Sequence, residues 1–167
     1  LGPDWWRQIS AQLESELDSI EPGLQETVAA AVARLDQWPD DLPKGIIHAD
    51  LFPDNVLMID SKVTGLIDFY FACTDYFIYD LAVLHAAWAF LPDGSAPLSG
   101  HQEALFAGYQ SVRPLSNAEK QAFPLMAQGA ALRFLLSRAQ DWLAPHADNA
   151  LVQRKDPLPF VRRLNHY

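Results

Sequence analysis

The sequence predicts an α+β chain, mainly helical, forming a single domain over residues 1–167 with a small β-hairpin inserted among the helices. Three observations carry that prediction. Apolar residues recur at helical spacing before residue 39 and again after residue 77; three short strand-like runs separated by turn residues lie between; and 167 residues, half of them hydrophobic, are enough to bury a substantial core.

The elements follow in order. Ile9, Leu13, Leu17 and Ile20 mark a first helix, Pro22-Gly23 interrupts it, and Leu24, Val28, Val32, Leu35 and Trp38 mark a second, so two antiparallel helices are expected. Pro39-Asp40-Asp41-Leu42-Pro43 ends the second helix and leads into a strand over 45–47. A second strand spans 56–59, Asp60-Ser61-Lys62 turns the chain, and a third begins at 65–67. Residues 78–91 are apolar nearly all round, which predicts a helix buried among others and too short to cross a bilayer. A loop over 92–97 precedes a helix that Ser99 caps and that carries Leu105, Phe106 and Tyr109. Ser116-Asn117-Ala118-Glu119 is a capping box for a long helix running through Ala127, Ala130, Ala131, Phe134, Leu135 and Arg138, which Pro124 is expected to kink or split. Residues 146–159 are polar and turn-rich, and 160–164 form a short final helix.

The chemistry is concentrated in the hairpin region. Residues 48–55 read His-Ala-Asp-Leu-Phe-Pro-Asp-Asn, and thirteen residues past Asn55 stands Asp68, within Ile67-Asp68-Phe69. Protein kinases carry H-R-D-L-x-x-x-N followed by D-F-G; His48, Asp50, Leu51 and Asn55 keep the first spacing, and Asp68-Phe69 keeps two thirds of the second. Phosphoryl transfer to a hydroxyl needs a carboxylate that orients the nucleophile and accepts its proton, which is the role read for Asp50. It also needs oxygen ligands that hold Mg²⁺ against the phosphates of ATP, the role read for Asn55 and Asp68, and Mg²⁺ takes few protein oxygens. Pro53 fixes its own φ and biases Phe52 away from helix, favouring an ordered loop. His48 is read as structural, its ring hydrogen-bonded to loop backbone, and Asp54 as a solvated turn residue.

These residues resemble the aminoglycoside phosphotransferase superfamily of small-molecule kinases, in which a small residue follows the histidine, as Ala49 does, and the metal triplet lacks its final glycine. The stretch from Tyr70 to Ala82, ending Asp80-Leu81-Ala82, is similar to a superfamily segment whose Asp braces the catalytic loop from a helix start. Within that group the residues from His48 to Val56, Gly65 to Cys73, Gly129 to Phe134 and Asp141-Trp142 resemble bacterial homoserine kinases of the protein-kinase-like type. The resemblance implies the C-terminal, large lobe of a kinase-like fold, with the hairpin carrying the catalytic and metal residues. It also implies γ-phosphate transfer from ATP with Mg²⁺ to the hydroxyl of L-homoserine, in threonine biosynthesis. Two alternatives stay open: a kinase of another small alcohol such as an aminoglycoside, a choline-like amine or a sugar, and a non-catalytic module that keeps the fold.

Homoserine carries an ammonium and a carboxylate, so its pocket is expected to offer an acid and a guanidinium. Arg133 or Arg138 is assigned to the carboxylate, and Asp75, Asp141 or Tyr70 to the ammonium. The chain opens at Leu1, and neither a G-x-G pair nor a Lys on a β-branched strand precedes the catalytic loop. A fragment is therefore expected, with the N-terminal nucleotide lobe absent and little turnover by itself.

Composition agrees. A formal charge of −9 argues against a nucleic-acid partner, whose phosphates recruit Lys and Arg. Arg154, Lys155, Arg162 and Arg163 are expected to be a solvated basic face. No apolar run has membrane-spanning length and no cleavable signal pattern opens the chain. The single Cys73 cannot form an internal disulfide, which fits a reducing cytoplasm, and its aromatic surroundings predict a buried small hydrophobe.

Overall fold

A computed structural model of the chain describes residues 2–145 and 154–167. It is a helix-rich α+β structure with two small antiparallel sheets. Helix α1 (Pro3–Leu13) buries Trp6, Ile9 and Leu13, then tightens into a 3₁₀ turn, Glu14–Ser19, that buries Leu17. The expected single helix thus changes pitch midway while keeping its apolar face inward. Helix α2 (Leu24–Arg34) starts after Gly23, whose φ of 83° lies in the left-handed region where glycine is unstrained.

Strand β1 (Lys44–Ile47) leads to the loop that carries Asp50. Strands β2 (Val56–Ile59) and β3 (Lys62–Leu66) pair as the expected hairpin, with a bulge between Leu57 and Met58. Strand β1 pairs with neither of them. Its partner is β4 (Cys73–Tyr76), in a register running from Lys44 opposite Tyr76 to Ile47 opposite Cys73. The sequence reading missed β4, because the apolar run from Phe69 to Ala82 hides any alternation. The same pairing corrects the reading of Cys73, which is exposed: it sits on an edge strand of a two-stranded sheet with an uncovered face.

Helix α3 (Phe77–Trp88) is buried on most sides, with Ile78, Leu81, Ala82, Val83 and Ala86 fully inaccessible. Helix α4 (His101–Val112) has Gly100, at φ 76°, as its N-cap, one residue later than the cap expected at Ser99, whose side chain does not cap the helix. The long helix α5 (Asn117–Leu143) opens on the expected capping box, in which the Ser116 hydroxyl accepts from the Glu119 N–H at 3.2 Å and the Glu119 carboxylate accepts from the Ser116 N–H at 2.9 Å. Pro124 does not split it. Both Pro124 and Lys120, whose carbonyl loses its partner, lie on the exposed side, while Phe123, Met126 and Ala127 pack inward and hold the axis.

Helix α6 (Leu158–His166) is longer than the expected five residues. It packs on α5, as do α1, α2 and α3, so α5 forms the spine of the core. Close approach there requires Gly129: a Cβ at that position would stand 2.6 Å from the Trp38 ring and 3.0 Å from Trp6. The basic face expected around Arg162 and Arg163 is divided. Arg163 is buried, donating to the Leu91 carbonyl at 3.2 Å and stacking 4.6 Å from the Phe160 ring centre, while Arg162 stays exposed and pairs with Asp93 at 3.7 Å. Neighbours in a helix point about 100° apart, so adjacent arginines cannot share one face. Residues 146–153 of the turn-rich segment lie outside the described residues.

Candidate active site

The loop after β1 is fixed by groups from two helices, α3 and α5, and from the neighbouring hairpin. Asp80, in the first turn of α3, accepts the His48 N–H at 3.2 Å and the Ala49 N–H at 2.8 Å. Ala49 has φ 61°, a left-handed conformation that costs a residue with a Cβ about 1–3 kcal/mol, so the surroundings must impose it. The buried Arg133 of α5 donates to the Ala49 carbonyl. The Trp88 indole N–H donates to the Leu51 carbonyl at 2.8 Å, and the Phe52 ring packs edge-on against Phe134 at 4.7 Å.

Beyond Asp50 the chain makes the 3₁₀ turn Pro53–Asn55. Asn55 is buried, and its Nδ2 donates to the Asp50 carbonyl at 2.7 Å and to the Asp50 carboxylate at 3.3 Å. Among the described residues its Oδ1 has no hydrogen bond, and Asn55 borders a cavity, which leaves that oxygen available to a ligand. The hairpin is tied to the loop twice: the Ile67 N–H donates to the Asn55 carbonyl at 3.1 Å, and the His48 Nε2 lies 2.9 Å from the Ile67 carbonyl, with the Phe69 ring 4.7 Å from the imidazole. Asp68 follows immediately, also left-handed at φ 61°. Two strained non-glycine residues thus flank the same centre, a concentration typical of functional sites.

Asp50, Asn55 and Asp68 border one cavity of about 570 Å³, whose other wall is the α5 stripe Phe134, Ser137, Arg138 and Asp141. Burial raises the Asp50 carboxyl above the ordinary carboxylate range; Arg133 opposes that rise, and the Asp68 charge adds to it. Among the described residues no group of three or more His, Cys, Asp or Glu is placed to hold a metal. Mg²⁺ does not need one, since it binds through one or two hard oxygens and completes its shell with water and phosphate. The Asn55 amide oxygen and the exposed Asp68 carboxylate are a donor set of that kind.

Of the residues assigned from sequence to an acceptor, Arg133, Arg138 and Asp141 line this cavity. Asp75 and Tyr70 do not: the Asp75 carboxylate accepts the Tyr76 N–H at 2.7 Å on β4, and Tyr70 is 85% exposed outside the cavity. Sequence reasoning missed Ser137, Arg154 and Lys155, which line it too. A signal existed for the first, because 134, 137, 138 and 141 fall at i, i+3, i+4 and i+7 and put polar groups on one stripe of an otherwise apolar helix.

A model of the phosphotransferase enzyme family matches residues 2–115. Curated relatives include a homoserine kinase of Xanthobacter autotrophicus, 51% identical over 160 residues, an alignment covering 95% of this chain and 49% of the relative. A homoserine kinase of Gluconacetobacter diazotrophicus is 52% identical over 167 residues, covering 98% and 51%, and one of Methylobacterium nodulans 53% identical over 165 residues, covering 98% and 51%. The chain spans about half the length of the curated relatives it matches. Among the described residues no helix is long and apolar enough to cross a membrane.

Proposed function

The chain belongs to the phosphotransferase enzyme family, and from that premise we propose that it is the C-terminal catalytic lobe of an ATP-dependent homoserine kinase working in the cytoplasm. The observation that carries the reading is the Asp50 carboxylate, held beside Asn55 and Asp68 on a cavity whose far wall presents both cationic and acidic side chains.

In this reading the acceptor hydroxyl lies against Asp50. The carboxylate orients it and takes its proton as the oxygen attacks the γ-phosphorus of ATP, the bond to the β-phosphate oxygen breaks, and ADP leaves. Burial raises the proton affinity of Asp50, which suits an acceptor of protons. Asn55 Oδ1 and Asp68 would hold Mg²⁺, which when bound neutralises charge on the phosphates. Arg133 acts as a positioning residue through the Ala49 carbonyl, and Asp80 through the two amides it accepts. The rest of the nucleotide site is assigned to the N-terminal lobe of a longer enzyme, in keeping with the half-length match to the relatives.

A coupled ADP-release assay with ATP and Mg²⁺ tests this on the longer enzyme and on the chain alone. Turnover of L-homoserine by the longer enzyme, and little by the chain alone, is the expected result. Turnover of choline, an aminoglycoside or a sugar with none of homoserine would overturn the substrate, and matched rates for the two proteins would overturn the division between lobes.

A further inference from the structure

Four cations line the cavity beside Asp50, and two of them are already committed. Arg133 donates to the Ala49 carbonyl, and its guanidinium lies between the rings of Phe71 at 5.1 Å and Phe134 at 4.7 Å. Arg154 closes the C-terminal end of α5, donating to the carbonyls of Trp142 at 2.9 Å, Ala144 at 2.6 Å and Pro145 at 3.2 Å. Arg138 and Lys155 are the more accessible: Arg133 is 3% exposed, whereas Arg138 is half-buried and Lys155 exposed. Arg138 makes one hydrogen bond, to the Asp156 carbonyl at 3.0 Å, stacks 4.5 Å from the Phe160 ring centre, and forms no ion pair among the described residues. Lys155 is exposed and has neither a hydrogen bond nor an ion pair among the described residues.

We propose that Arg138 and Lys155 together bind the carboxylate of the acceptor, and that Asp141, three residues on from Arg138 along α5, receives its ammonium. The proposal rests on the homoserine kinase reading above and fixes how that substrate is held. A half-buried guanidinium without a carboxylate partner is unfavourable unless a ligand supplies the anion. Burial and the neighbouring Arg163 push Arg138 down to about 10, well below the usual guanidinium value, so an anion in the cavity would relieve an existing penalty. The planar fork of Arg suits a carboxylate bidentately, and Lys adds a point charge. An α-amino acid carries its two opposite charges on one carbon, and the wall offers opposite charges at i and i+3 of one helix, which are neighbours on its surface. Choline and sugars lack a carboxylate and leave the cationic pair unused, so the pair selects for an amino acid among small alcohols.

The other anion available here is the transferring phosphate of ATP, which the test separates from the acceptor. In the longer enzyme, Lys155→Ala and Arg138→Lys are compared with the unaltered protein for the KM of homoserine and of ATP, and for kcat/KM on 3-aminopropan-1-ol, which is homoserine without its carboxylate. Each variant is expected to raise the KM of homoserine roughly ten- to a hundredfold, the range for a hydrogen bond to a charged group. The KM of ATP and kcat/KM on 3-aminopropan-1-ol should stay unchanged. An increase in the KM of ATP would reassign the pair to phosphate and overturn the proposal, as would equal losses on both acceptors or an unchanged KM for homoserine. Lys155 is exposed, so its variant keeps the test decisive if the Arg138 variant, which loses packing on Phe160, unfolds. Absence of homoserine turnover in the unaltered enzyme would overturn the functional reading itself, and the clamp with it.

Discussion

Replacing Asp80 by alanine removes the carboxylate that holds the turn between β1 and the cavity. It accepts two backbone N–H groups, from His48 at 3.2 Å and from Ala49 at 2.8 Å. Those residues are 6% and 3% exposed, so solvent is a poor substitute for it. A hydrogen bond to a charged acceptor contributes about 1.5–3 kcal/mol, and a buried donor left without a partner costs a similar amount, so losing the pair should cost about 3–5 kcal/mol. Ala49 adds to the effect, because its left-handed φ of 61° persists only while its neighbours enforce it. A domain of this size loses about 2–4 °C of melting temperature per kcal/mol, which gives a fall of about 6–20 °C. Asp80→Asn retains one acceptor oxygen and should fall between. Thermal unfolding measures the loss, and hydrogen exchange at the His48 and Ala49 amides locates it. The activity of the longer enzyme should drop in parallel, because the same turn aims Asp50. A melting temperature within about 2 °C of the unaltered protein, with both amides still protected, would refute the bracing argument.

Asp50 and His85 titrate in ways that pH profiles can read. The proposed base works ionised, and burial raises its carboxyl, so kcat/KM should fall on the acid side around a value above the ordinary carboxylate range; Arg133→Met, which removes the largest opposing charge, should move that limb higher, and a limb that stays or moves lower would contradict the assignment. His85 is buried with its Nδ1 2.6 Å from the Tyr167 hydroxyl, and burial pushes it from 6.5 down to about 4. It is neutral in the fold and takes up a proton on unfolding, so stability should decline as pH drops from 6.5 toward about 4, by on the order of 2 kcal/mol between pH 6.5 and pH 5. Denaturant unfolding of the unaltered protein and of His85→Phe at pH 7 and pH 5 checks this, and an equal pH dependence in the two would refute it.

What was legible in the sequence was local. The loop from His48 to Asn55 and the hairpin bearing Asp68 are close in the chain, and Pro53 and the turn at residues 60–62 constrain them through short-range sterics, so motif spacing translated into geometry. The capping box at Ser116 and Glu119 is equally local, and its reading matched the structure down to both hydrogen bonds. The local departures were small, such as a cap displaced by one residue, and the larger failures are long-range. Pairing of β1 with β4 joins residues some thirty apart, and neither strand alternates clearly enough to announce its partner. The aromatic neighbours of Cys73 predict burial, yet exposure depends on which sheet face the fold covers. Arg163 reaches a carbonyl 72 residues away, and no pattern around it records that contact.

The α5 wall of the cavity shows the same division from the other side. The sequence could place Arg133 and Arg138 on one helix, but it could not rank them, since both are arginines at the edge of an apolar face. Their difference arises only when the loop folds back: Arg133 meets the Ala49 carbonyl, 84 residues earlier in the chain, and is consumed by it. Arg138 donates to one carbonyl, that of Asp156, is only half-buried, and keeps its remaining donors for a ligand. On the proposal above, bracing and binding fall to two similar residues on the same helix, with the one farther from the loop left for the substrate.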